Sequence, residues 1–242
     1  MQAFGVHGAH MIGVDTDDDG VIPEALEEAV RTHHPRFVYL IPTFQNPTGR
    51  TMPMLRRQAV ADVLLRTGVP LVEDDPYGEL TFTGGTWAPI ASLPGGMGER
   101  TLLLNSMSKL MSPGVRIGWI RAEGPILDTL AVAKAAISMQ SSVVDQLTVA
   151  RYLEVADLGL HVKKVCEVYR ERRDAMAEAI APVLPEGAHV TRPDGGGMFL
   201  WAALGEGWDA QGDALRRGRR GGSPTFPAGR SSPRIPTARR CV

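Results

Sequence analysis

The stretch Val69-Pro-Leu-Val-Glu-Asp-Asp-Pro-Tyr77 decides the fold. Its first four residues are apolar without alternation, the pattern of a strand whose two faces are both covered by helices. Asp74 ends the run Val69-Pro-Leu-Val-Glu-Asp, which places a carboxylate at the carboxyl end of a central strand. In open α/β sheets that end is where ligands bind. Phe37-Val-Tyr-Leu-Ile41 is a second continuous apolar run of the same kind.

Working outward, strands are expected at residues 10–14, 37–44, 69–73, 101–105 and 115–121. Apolar residues at helical spacing fill 23–33 and 54–67, with Gly68 as a stop signal after the second. The alternation predicts an α/β layer fold with a mostly parallel sheet. From 125 to about 181 the pattern is mainly helical, and 158–181 is long enough to bridge two domains. A further strand is expected at 198–203, after Gly195-Gly196-Gly197, which read as a flexible run. Past about residue 205 the periodicity dissolves into Arg, Gly, Pro and Ser, and no internal repeat is present.

The composition of the 242 residues, 43% hydrophobic and 22% charged, is that of a globular protein able to bury a real core. It excludes a disordered or collagen-like class, and no apolar run approaches the roughly 18 to 20 residues of a membrane-spanning helix. The start shows no pattern of a secretory signal, and Cys166 and Cys241 are too few for a disulfide framework, so a cytoplasmic location is expected. The net charge of −1 averages a body of −9 through Asp213 with a tail of +8, made by eight arginines in the last 29 residues. A basic tail suggests nucleic acid or an anionic surface.

Arginine outnumbers lysine 22 to 4, so each lysine stands out. Lys109 lies in Asn105-Ser-Met-Ser-Lys-Leu-Met-Ser-Pro-Gly-Val-Arg116, just past a buried strand. A lysine can act as a nucleophilic amine or Schiff base, which an arginine cannot. Ser106, Ser108 and Arg116 are of the types that hold a phosphate. Read alone, the same segment is a surface loop with a solvated lysine. Asp74 and, three residues on, Tyr77 bring a carboxylate and a phenol to a strand end; the alternatives for Glu73-Asp74-Asp75-Pro76 are a turn or helix cap, or carboxylates for a divalent metal. Asn46, in Gln45-Asn-Pro-Thr-Gly49, follows another strand, where Asn-Pro and Thr-Gly are ordinary turn signals. Three successive strands thus deliver an amide, a carboxylate with a phenol, and a lysine with hydroxyls to one sheet edge.

That set resembles the class I/II aminotransferase family, fold-type I enzymes that use pyridoxal 5'-phosphate. The matching text is Tyr39-Leu-Ile-Pro-Thr-Phe-Gln-Asn-Pro-Thr-Gly49, Glu73-Asp-Asp-Pro-Tyr-Gly-Glu-Leu80, Ser106-Met-Ser-Lys109, Pro113-Gly-Val-Arg-Ile-Gly-Trp119 and Gly196-Gly-Met-Phe-Leu-Trp201, and the resemblance runs from about residue 2 to about 207. It implies that Lys109 forms the Schiff base with the cofactor and shuttles the substrate Cα proton, that Asp74 pairs with the pyridine nitrogen, and that Asn46 and Tyr77 bind the ring's phenolic oxygen. Ser106, Ser108 and Arg116 would hold the phosphate. It further implies α-amino-acid and 2-oxo-acid substrates, a homodimer when complete, and no resident metal, nucleic acid or membrane. The implied organisation is a partial large cofactor-binding domain over 1–155, part of a smaller α+β domain over 156–207, and an aberrant basic tail over 208–242.

Measured against the family, the chain lacks an N-terminal glycine and serine loop for the phosphate, an aromatic residue that stacks on the ring, and a C-terminal arginine for the substrate carboxylate, so it is expected to be inactive as it stands. The tail reads as an out-of-frame translation, because shifted codons permit Gly-Val-Ala-Tyr-Val-Pro-Gly over 221–227 and Leu-Arg-Leu at the very end. Two alternatives accompany this reading. One is a lyase on the same fold. The other is the effector domain of a GntR/MocR-type transcription regulator, disfavoured by the absence of a helix-turn-helix and by the intact Gln-Asn-Pro-Thr-Gly.

Overall fold

The computed structural model describes residues 2–191 and 195–204. Helix α1 (Gln2–Val6) leads through an irregular segment to a small hairpin, β1 (Thr16–Asp17) and β2 (Gly20–Val21). Helix α2 (Pro23–His33) starts with proline in its first turn, where the missing N–H costs nothing, and ends on His34 in the left-handed region. Then β3 (Val38–Leu40), helix α3 (Met54–Thr67), β4 (Leu71–Asp74), the short helix α4 (Met97–Arg100) and β5 (Thr101–Ser106) follow in order. Gly68 closes α3 in the left-handed region, its N–H returning to Leu64 O, so the glycine stop signal is fulfilled.

The main sheet has the order β3-β4-β5 with β6 (Gly118–Arg121) outermost. The first three strands are parallel, pairing Leu71 with Val38 on one side and Thr101 on the other; β6 runs antiparallel, Ser106 opposite Gly118. Val38, Leu40, Leu71 and Val72 of β3 and β4 are buried, as the unalternating runs predict. One core joins Leu26, Val30, Val60, Leu64, Leu71, Ile90 and Met97 beneath α2 and α3. The second gathers Phe44, Tyr77, Leu80, Met107, Leu110, Val149 and Cys166.

Glu73 is the carboxylate of β4 that faces the interior and is fully buried. It is tolerated because Ile90 N–H and Ala91 N–H both donate to it at 2.8 Å. Arg57, also fully buried, donates to Met52 O at 2.9 Å, Thr43 Oγ1 at 2.8 Å and Ala88 O at 3.0 Å. It fastens the loop after β3 to α3 and to the segment ahead of Ile90.

After the short α5 (Met107–Leu110) and β6 come α6 (Pro125–Ser138), α7 (Val143–Val155) and α8 (Leu158–Ile180), and then the hairpin β7 (His189–Thr191) with β8 (Trp201–Ala203). All four residues of β6 are exposed, and so are Val132 and Ile137 of α6 and Val144 and Leu147 of α7.

Five expectations need correction. Residues 10–14 form no strand, since only Val14 of that stretch is buried and no ladder partner is present among the described residues. The expected strand 115–121 begins later, because Pro113–Val115 forms a 3₁₀ turn and Arg116 takes a left-handed conformation. The strands at 37–44 and 198–203 are confined to Val38–Leu40 and Trp201–Ala203. Lastly, Gly195-Gly196-Gly197 is a docking element rather than a flexible run. Phe82 N–H donates to Gly195 O and Gly197 N–H to Leu80 O, both at 2.8 Å. A Cβ at Gly196 would stand 2.2 Å from Leu80 O, so no other residue fits there. The basic tail at 208–242, with its out-of-frame reading, lies outside the described residues.

Candidate active site

Six of the seven sequence-selected residues sit at the carboxyl ends of β3, β4 and β5 or in the segments just beyond them, and Arg116 follows the 3₁₀ turn that leads into β6. Asn46 is in the turn after β3, where Gly49 N–H donates to Gln45 O at 2.6 Å and Thr48 Oγ1 to Gln45 Oε1 at 2.7 Å. Asp74 is the last residue of β4 and accepts a hydrogen bond from the Tyr39 hydroxyl. Tyr77 is buried, its ring edge-on to Phe199 with centroids 5.3 Å apart. Burial first, and then the Asp74 charge, push the Tyr77 phenol up, while a hydrogen bond with Asn46 opposes the rise. Asn46, Asp74 and Tyr77 therefore form one group.

The second group is built at the end of β5. Ser106 caps α5, its Oγ accepting from Ser108 N–H at 3.1 Å, and Arg116 Nη1 donates to Ser108 Oγ at 3.2 Å. The left-handed backbone at Arg116, together with a 3.4 Å bond from Nη1 to Pro113 O, folds the guanidinium back onto the serines. Lys109 lies in α5, whose Met107 and Leu110 enter the second core, and is half-buried. The strand register ties the two groups together. Asp74 is opposite Leu104, and Ser106 two residues further on shares its face of the sheet.

The donor set suits a phosphorylated pyridine aldehyde. Two hydroxyls and a guanidinium make an anion cradle, an amide and a phenol can meet a ring hydroxyl, a carboxylate can meet a protonated ring nitrogen, and an amine can meet the aldehyde. Among the described residues no three His, Cys, Asp or Glu side chains form a metal-holding group, and no helix is long and apolar enough to cross a membrane. A cavity of about 760 Å³ lined by Asn105, Trp119, Val162, Lys163 and Cys166 contains none of the seven.

Three residues of this region have surroundings that the sequence reading did not foresee. Phe199 walls the Tyr77 ring from more than a hundred residues away, which no local pattern signals. Asp75 packs over Gly78, and burial, followed by the Glu73 charge, raises its carboxyl to about 7; Arg57 and a Gly78 backbone hydrogen bond pull the other way. Tyr39 stands opposite Val72, two positions from Asp74 on the same sheet face, so period-two alternation on paired strands is the signal that finds it.

The model of aminotransferase class I and II matches residues 2–215. The chain belongs to that family. This aminotransferase chain is 36% identical over 216 residues to aromatic-amino-acid aminotransferase 1 of Thermococcus litoralis, covering 87% of the chain and 51% of the relative. It is 34% identical over 213 residues to 2-aminoadipate transaminase of Thermus thermophilus, covering 88% and 53%. Among solved structures, the α-aminoadipate aminotransferase of Thermus thermophilus, complexed with N-(5'-phosphopyridoxyl)-L-leucine, superposes with a TM-score of 0.83 at 34% identity over 90% of this chain and 56% of that one. The kynurenine aminotransferase of Pyrococcus horikoshii also gives 0.83, at 35% identity, over 90% and 55%. These are fold-type I enzymes, and the aminotransferase chain spans about half the length of the relatives it matches. It is also 31% identical over 204 residues to the HTH-type transcriptional regulator YdfD of Bacillus subtilis, covering 84% of the chain and 42% of the regulator.

Proposed function

We propose that this chain carries the cofactor-binding half of a pyridoxal-phosphate-dependent aminotransferase, which moves an amino group from an α-amino acid to a 2-oxo acid in the cytoplasm, as a homodimer. The observation that carries the reading is the joining of the Asn46, Asp74 and Tyr77 group to the Ser106, Ser108 and Arg116 cluster by the β4–β5 register. Pyridoxal phosphate, when bound, supplies an aldehyde that condenses with amino groups and a ring that accepts the electron pair left at a deprotonated substrate Cα. Lys109 would hold the aldehyde with its amine and would move the proton at substrate Cα. Asp74 would bind the ring nitrogen and keep it protonated, Asn46 and Tyr77 would bind the ring hydroxyl, and Ser106, Ser108 and Arg116 would bind the phosphate. The large cofactor-binding domain extends over 1–155 and the smaller domain begins at 156.

Titrating the purified chain with pyridoxal phosphate tests this. A visible absorption band is expected, abolished in Lys109→Ala, and a band unchanged by that substitution sinks the assignment. A second reading, an aminotransferase-like effector domain of a transcription regulator, is favoured by the similarity to YdfD. An encoded helix-turn-helix upstream of Met1, with DNA binding by the longer protein, would establish it in place of the enzyme.

A further inference from the structure

We propose that Tyr39 is a positioning residue that fixes the Asp74 carboxylate for the ring nitrogen of the cofactor; this rests on the reading of Asp74 given above. Tyr39 comes from the neighbouring strand β3, and its hydroxyl donates to Asp74 Oδ2. Among the described residues no other hydrogen bond reaches the Asp74 side chain, which leaves Oδ1 open to a ligand. Rotation about the last side-chain bond of an aspartate is soft, so one hydrogen bond on Oδ2 decides where Oδ1 points.

The donor is itself held in place. Tyr39 is half-buried, and Phe4 meets its ring edge-on at 5.7 Å. Burial, and after it the Asp74 hydrogen bond and charge, keep the phenol protonated well above its usual range. Tyr39 therefore remains a donor at every working pH. Its place in β3 makes it a rigid-sheet support, two strands from Ser106, rather than a loop contact that rearranges.

Tyr39→Phe keeps the ring and removes the donor. A hydrogen bond to a charged group carries about a tenfold effect, so cofactor affinity is expected to fall about tenfold, with a weakened circular-dichroism signal of the bound cofactor. Because Tyr39 acts through Asp74, that loss should vanish when Tyr39→Phe is made on an Asp74→Asn background. A purely structural phenol would lower the melting temperature and leave the affinity and the dichroism of the cofactor band unchanged. That result, or an equal loss in both backgrounds, overturns the proposal while leaving the function intact. A wild-type chain with no Lys109-dependent band removes the function, and the role of Tyr39 with it.

Discussion

At the residue scale, burial and then the Glu73 charge set the Asp75 carboxyl apart from an ordinary aspartate. Its folded carboxyl sits at about 7, while the unfolded chain has an ordinary carboxyl near 4. Between those values the native state holds a proton that the unfolded state releases, so stability falls as pH rises and is level again above about 7. Asp75→Asn removes that loss. Its melting temperature should match the wild type near pH 4 and exceed it increasingly toward pH 7 to 8, by the equivalent of about 2 to 4 kcal/mol; an offset independent of pH contradicts the assignment. Asp74 and Tyr77 were legible because a carboxylate and a phenol three residues apart at a strand end are local text. Asp75 was not, since its burial comes from the approach of Gly78 and the nearness of Glu73, which only the folded turn creates.

At the scale of elements, Arg57 holds α3, the loop after β3 and the segment before Ile90 with bonds to Met52 O, Pro42 O, Ala88 O and Thr43 Oγ1, and its guanidinium lies 5.7 Å from the centre of the Trp87 ring. Arg57→Met strands those acceptors in the interior, and a cost of about 3 kcal/mol is expected, seen as a drop of several degrees in the melting transition. Because the anchored loop carries Asn46, cofactor affinity should weaken in the same variant. The helices α2 and α3 and the strands β3, β4 and β5 were readable from periodicity, and the Gly68 stop from a single residue. The stretch 10–14 misled because its apolar residues look like a strand, yet only Val14 finds a core. The glycine run misled in the other direction. Composition suggests freedom there, while the real constraint is the close approach of Leu80 and Phe44.

At the scale of the molecule, β6, α6 and α7 present a broad apolar surface, with Val132, Ile137, Val144 and Leu147 all more than 60% exposed. A sheet edge and helices so exposed favour association. Ile137→Glu with Val144→Lys should reduce self-association in sedimentation while shifting the melting temperature by no more than about 2 °C. A further consequence concerns synthesis. The Thr81 hydroxyl reaches Gly195 O across 114 residues, and Tyr77 waits longer still for Phe199. At roughly 5 to 20 residues per second a ribosome needs on the order of ten seconds to deliver that partner. Throughout this interval the sheet ends can form while the ring of Tyr77 still lacks its Phe199 neighbour.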